Sequence, residues 1–134
     1  MTDSPRSEPR KTSIAPWLSV RRGADAVDYY KAAFGAAELH RVENDAGEIV
    51  AHLSIGGADF WISDDPNSSP EVLGGGSVRM ILTVEDPDAV FDQAITAGAT
   101  AVAAVYEGHG WRVGRVADPF GHHWEIGKPL AHAR

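Results

Sequence analysis

The chain repeats itself. Asp25-Ala26-Val27 through Gly35-Ala36 lies over Asp88-Ala89-Val90 through Gly98-Ala99 at an offset of 63 positions, and Leu18-Ser19-Val20 lies over Leu82-Thr83-Val84 at an offset of 64. One residue deleted from the strand-to-helix turn reconciles the two. A segment that recurs with its neighbours in the same order is a supersecondary unit used twice, so the fold must divide into two similar halves.

Each half reads as strand, helix, strand, strand, strand. In the first, Trp17 to Val20 alternates as a strand, and Val27, Tyr30, Lys31 and Phe34 mark one face of a helix stopped by Gly35. Extended pieces follow at Ala37 to Glu43, Glu48 to Ile55 and Ala58 to Ser63, joined by Asn44-Asp45-Ala46-Gly47 and Gly56-Gly57, both hairpin signals. In the second, Val78 to Val84 alternates. Asp86 caps a helix with Pro87 at its first position, and Val90, Phe91, Ala94 and Ile95 form its apolar face before Gly98. Strands at Thr100 to Tyr106, Trp111 to Ala117 and His123 to Ile126 complete it. The chain is thus expected to be α+β: an N-terminal tail over 1–13, then one domain over 14–130. The domain comprises repeats 14–63 and 77–127, joined by a Gly/Pro/Ser linker at 64–76 that reads as a flexible connector.

Charge and composition exclude several functions. The net charge is −7, with no local Lys/Arg cluster beyond Arg10-Lys11 and Arg21-Arg22, so no positive stripe is available for nucleic acid. There is no cysteine, hence no disulfide, thiolate metal site or thiol nucleophile. No apolar run approaches the roughly 20 residues of a membrane span, and the N-terminus lacks the apolar stretch of a signal peptide. The cytoplasm is the expected location.

The tandem βαβββ pattern, the helix with Tyr29-Tyr30 and Phe34-Gly35, and the ending Asp118-Pro119-Phe120-Gly121-His122-His123-Trp124 resemble the vicinal oxygen chelate superfamily, the glyoxalase/bleomycin-resistance/dioxygenase fold. Within it, that ending is similar to the PhnB-like branch. The resemblance implies a cupped mixed sheet with helices on its convex face, usually in a homodimer. It also implies a ligand site in the cup. Read by itself, Asp118-Pro119-Phe120-Gly121 is a turn that positions the last strand.

In metal-dependent members, four ligands come from the first and fourth strands of each repeat. The resemblance places those positions at Ala15, Trp61, Arg79 and Glu125. Alanine and tryptophan donate nothing to a cation and arginine repels one, so no metal and no other cofactor are expected. His52 and His123 could face the same cup and make an improvised site. With Glu125 inward, strand alternation turns Trp17, Ser19, Asp59, Trp61, Ser63, Arg79, Ile81, Thr83 and His123 into the cup. Leu18, Val20, Phe60, Ile62, Met80, Leu82, Val84, Trp124 and Ile126 then face the helices. A one-residue slip on the fourth strand would exchange Trp61 for Phe60 and Ile62.

The expected site is therefore Trp17, Ser19, His52, Asp59, Trp61, Arg79, Trp111, His123 and Glu125. Its tryptophans form a flat wall for stacking a planar or apolar ring, while Arg79, Asp59 and Glu125 orient the ligand. The expected function is metal-free sequestration of an aromatic or amphipathic compound such as an antibiotic. The alternative is a superfamily enzyme, a glyoxalase-like lyase, isomerase or dioxygenase, using Glu125 as its catalytic group with or without a metal.

Overall fold

The computed structural model describes residues 12–69 and 76–131. Ten elements run in the order β1 (Trp17–Val20), α1 (Gly23–Phe34), β2 (Ala37–Glu43), β3 (Ile49–Ile55), β4 (Ala58–Asp64), β5 (Arg79–Thr83), α2 (Pro87–Ala97), β6 (Thr100–Gly108), β7 (Trp111–Ala117) and β8 (His123–Pro129). The βαβββ order occurs twice, as the α+β reading requires. Residues 1–11 of the tail and 70–75 of the linker lie outside the described residues.

The strands form two four-stranded sheets, β1-β4-β3-β2 and β5-β8-β7-β6, so the cup is divided between two sheets. In each, the first and fourth strands of the repeat are parallel and the other pairs antiparallel. The registers carry the duplication. Trp17 opposite Trp61 becomes Ile81 opposite Glu125, both shifted by 64, while Ala37 opposite Ser54 becomes Thr100 opposite Ala117, both shifted by 63. The difference of one residue is restored late in the repeat. Four residues separate the paired Ser54 and Asp59, but five separate Ala117 and His123.

Local chemistry ends the elements. Gly35 sits at φ 69°, where a side chain would strain the backbone, and its N–H bonds to the carbonyl of Lys31. Asp86 accepts from the Ala89 N–H at 3.1 Å, capping α2. The start of α1 has no local side-chain cap; Asp64, at the end of β4, accepts from Gly23 N–H at 2.7 Å and from Ile49 N–H at 2.8 Å. This revises the reading of 64–76 as a flexible connector, because its first residues are tied down. Asp65 N–H bonds to the Val20 carbonyl at 2.7 Å, and buried Ser68 donates to the Ser19 carbonyl at 3.0 Å. Several strand ends also move: β5 is shorter than expected, whereas β6 reaches Gly108 and β8 reaches Pro129, held by β7 pairing Gly108 with Trp111 and Trp111 with Pro129.

Leu18, Val20, Phe60, Ile62, Trp124 and Ile126 are buried, whereas Trp17 is 57% exposed and Ile81 60% exposed. The alternation is therefore in the expected register, and the slip on β4 does not occur. At the centre, Tyr30 of α1 meets Phe60 of the first sheet edge-on at 5.3 Å and Trp124 of the second at 5.6 Å. Its hydroxyl donates to Asp118 Oδ2 at 2.6 Å, and Trp124 Nε1–H donates to the same oxygen at 2.9 Å. Asp118 Oδ1 takes the N–H groups of Phe120 and His122 at 2.9 and 3.0 Å. Burial, followed by the Asp118 charge, pushes the Tyr30 phenol well above its ordinary range, so it remains a donor.

Candidate functional site

Each sheet turns one face away from the helices, and register decides what stands there. Across the first sheet, Trp17 on β1, Trp61 on β4, His52 on β3 and His40 on β2 are successive partners. Side chains on adjacent strands stand side by side, so three of these rings line up like plates in a rack. Trp17 and Trp61 lie 6.0 Å apart with planes 14° from parallel, and His52 lies 4.3 Å from Trp61 at 6°. Both faces of Trp61 are thus turned to protein rings. The row presents ring edges to the cup, where the sequence reading had placed a flat stacking wall. Trp17 Nε1–H donates to Ser63 Oγ at 2.9 Å, and His52 Nε2 lies 3.0 Å from Asp59 Oδ2.

The second face is different. A cavity of about 350 Å³ is lined by Ile81, Tyr106, His109, Trp111, Val113 and Glu125. His109 sits at φ 54° between Gly108 and Gly110, a non-glycine residue held in the left-handed region at the cavity's rim. Beside the cavity, Arg79 Nε lies 3.1 Å from Glu125 Oε2. His123 Nδ1 accepts from Arg115 Nε at 3.2 Å; partial burial first, then the Arg115 charge, hold its pKa below the usual histidine value.

The nine expected site residues therefore fall into two groups. Trp17, Ser19, His52, Asp59 and Trp61 lie on the first sheet; Arg79, Trp111, His123 and Glu125 lie on the second. A cleft of about 580 Å³ has Asp59 on its β4 wall and Arg79 on its β5 wall; the other seven do not line it. Ser19 acts mainly through its carbonyl, which takes Ser68 and His122. Sequence reasoning left Tyr106 and Val113 out of the site. The signal for them was the Gly108-His109-Gly110 turn, since a hairpin there pairs Tyr106 with Val113 on the face that carries Trp111.

The residues do not fit a divalent cation. At the four positions given by the resemblance, only Glu125 can ligate, and a guanidinium lies against its carboxylate where a cation would stand. Among the described residues, no three His, Asp or Glu side chains gather into a metal-binding group. The Arg79 and Glu125 side chains are 43% and 24% exposed, so solvent screens their attraction. Arg79→Ala should cost under about 1 kcal/mol of stability. Urea denaturation of both proteins checks this, and a loss several times larger would mean a drier cup.

Residues 17–127 match the family model described as a glyoxalase-like domain. The chain is 43% identical over 128 residues to the uncharacterized protein Mb0911c of Mycobacterium bovis, covering 88% of this chain and 84% of that one. Among solved structures, TioX from Micromonospora sp. ML1 superposes with a TM-score of 0.67 at 26% identity, over 92% of this chain and 100% of TioX. A glyoxalase/bleomycin resistance protein/dioxygenase family enzyme from Burkholderia phytofirmans superposes with a TM-score of 0.69 at 21% identity, over 85% and 95% of the two chains, a likeness of fold. No helix among the described residues is long and apolar enough to cross a membrane.

Proposed function

The chain belongs to the glyoxalase-like family, and from that premise we propose that it is a metal-free receptor that sequesters a small aromatic or amphipathic compound, such as an antibiotic, in the cytoplasm. We also propose, from the resemblance of its Asp118 to Trp124 ending, that it is a member of the PhnB-like branch. The observation that carries the proposal is the Arg79–Glu125 ion pair, which stands at two of the family's ligand positions beside ring-lined and apolar surfaces. An enzyme using Glu125 as base is disfavoured, because the Arg79 guanidinium lies against the carboxylate oxygen that would take the proton. His123 is no better placed, since its Nδ1 lone pair is turned to Arg115.

Ring-containing compounds should quench the tryptophan fluorescence, and Trp17→Ala or Trp61→Ala should each weaken binding several-fold. Aromatic contacts contribute about 0.5 to 1.5 kcal/mol beyond the area they cover. If both variants bind a validated ligand like the parent, the ring row is not the site. We also propose a homodimer. Among the described residues, the edge strands β1, β2, β5 and β6 have one side unpaired in their sheets, and Trp17, Ile81 and Tyr106 are all more than half exposed. Light scattering should return about twice the 14.3 kDa of one chain; a monomer at micromolar concentration would reject this part of the proposal.

A further inference from the structure

Glu125 and His123 each face a guanidinium, but His52 does not. Its Nε2 faces the Asp59 carboxylate at 3.0 Å, which orients the ring and selects the tautomer with hydrogen on Nε2. Nδ1 then keeps its lone pair, and among the described residues no group bonds to it. The ring is held in place by stacking on Trp61. The charged or titratable groups set against it are Asp59 from β4 and its register partner His40 from β2. An oriented imidazole with a carboxylate behind it and an open lone pair in front is built to take a proton.

The ring row beside it selects for the same kind of ligand. Aromatic rings are positive at their edges and negative on their faces. Because Trp17 and Trp61 stand edge-on to the cup, a ring lying across them is favoured when its own face is electron-rich.

We propose that the first sheet binds rings bearing an acidic hydroxyl, the phenol class, whose faces become electron-rich on ionisation, with His52 as proton acceptor and Asp59 as its positioning residue. The ligand O–H bond breaks and an N–H bond forms at Nδ1. The product is a phenolate, electron-rich over the tryptophan edges, beside an imidazolium whose Nε2–H donates to Asp59. This rests on the reading of the protein as a receptor for ring compounds, and it names the chemical class that the receptor prefers.

The test compares 4-nitrophenol with its methyl ether, 4-nitroanisole, by calorimetric titration of the full chain at a pH below the phenol's own pKa. The two differ in the acidic hydrogen, and the phenolate has its own visible absorption band. The phenol should bind at least about tenfold more tightly, as a charge-assisted hydrogen bond provides, and should show the phenolate band when bound. His52→Gln should abolish the difference and the band, so that phenol and ether bind alike. Asp59→Asn should reduce both without abolishing them. If the parent binds phenol and ether equally and the bound phenol keeps its neutral spectrum, the dyad proposal falls while the receptor reading stands. If neither compound binds, both fall.

Discussion

Asp118→Ala should lower the unfolding free energy by about 3 to 5 kcal/mol. The carboxylate accepts four hydrogen bonds: two from backbone N–H groups within its own turn, and two from the Tyr30 hydroxyl and Trp124 Nε1. Alanine leaves the last two buried without an acceptor, at about 1 to 3 kcal/mol each. The turn that aims β8 loses its bridging oxygen as well. A domain has only about 5 to 15 kcal/mol in total, so the variant should be marginal or unfolded at 37 °C. Tyr30→Phe removes one donor and leaves the acceptor three partners; it should cost roughly 1 to 2 kcal/mol. Urea midpoints for the two variants test the ranking. Equal losses would mean that Asp118 acts only through Tyr30.

Trp124→Ala should be as damaging, at about 3 to 5 kcal/mol, while Trp61→Ala leaves the fold intact. Trp124 is 3% exposed and packs on Phe34 at 4.7 Å, Tyr30 at 5.6 Å and Phe60 at 5.6 Å, so its removal opens a cavity at the junction of both sheets. Trp61 lies on the opposite, half-exposed face, where its loss opens no enclosed void. Two tryptophans one repeat position apart, Trp61 matching Glu125 and Trp124 matching Phe60, thus divide between stability and recognition. Thermal melts of both variants check this; a large loss at Trp61 would show that the ring row is structural.

The parity of the strands was legible because alternation is local. Leu18, Phe60, Ile62, Met80 and Leu82 announce a helix-facing side without any knowledge of the partner strand. The duplication was legible for the same reason, as an offset within one string. What could not be read was anything fixed by register between strands. Trp17, Trp61 and His52 are spread over 45 positions in the chain, and only the parallel pairing of β1 with β4 and the antiparallel pairing of β3 with β4 set them in one row. Their use of each other's faces follows from that row. Long-range caps were equally hidden: Asp64 looked like the first residue of a linker, yet it closes the start of α1 from 41 positions away. Asp118 was read as a local turn residue, which it is. Its second oxygen serves a tyrosine 88 positions earlier.

That last bond also marks where two once-equivalent halves stopped being interchangeable. At the offset of 63, the counterpart of Tyr30 is Gln93, which reaches the Ala32 carbonyl across the helix pair at 2.8 Å. The first half supplies the plug and the second half the socket. Two copies of either present half would hold only plugs or only sockets, so this bond exists because the halves now differ, with Gln93 and Ile55 standing opposite Tyr30 and Asp118 in the repeat.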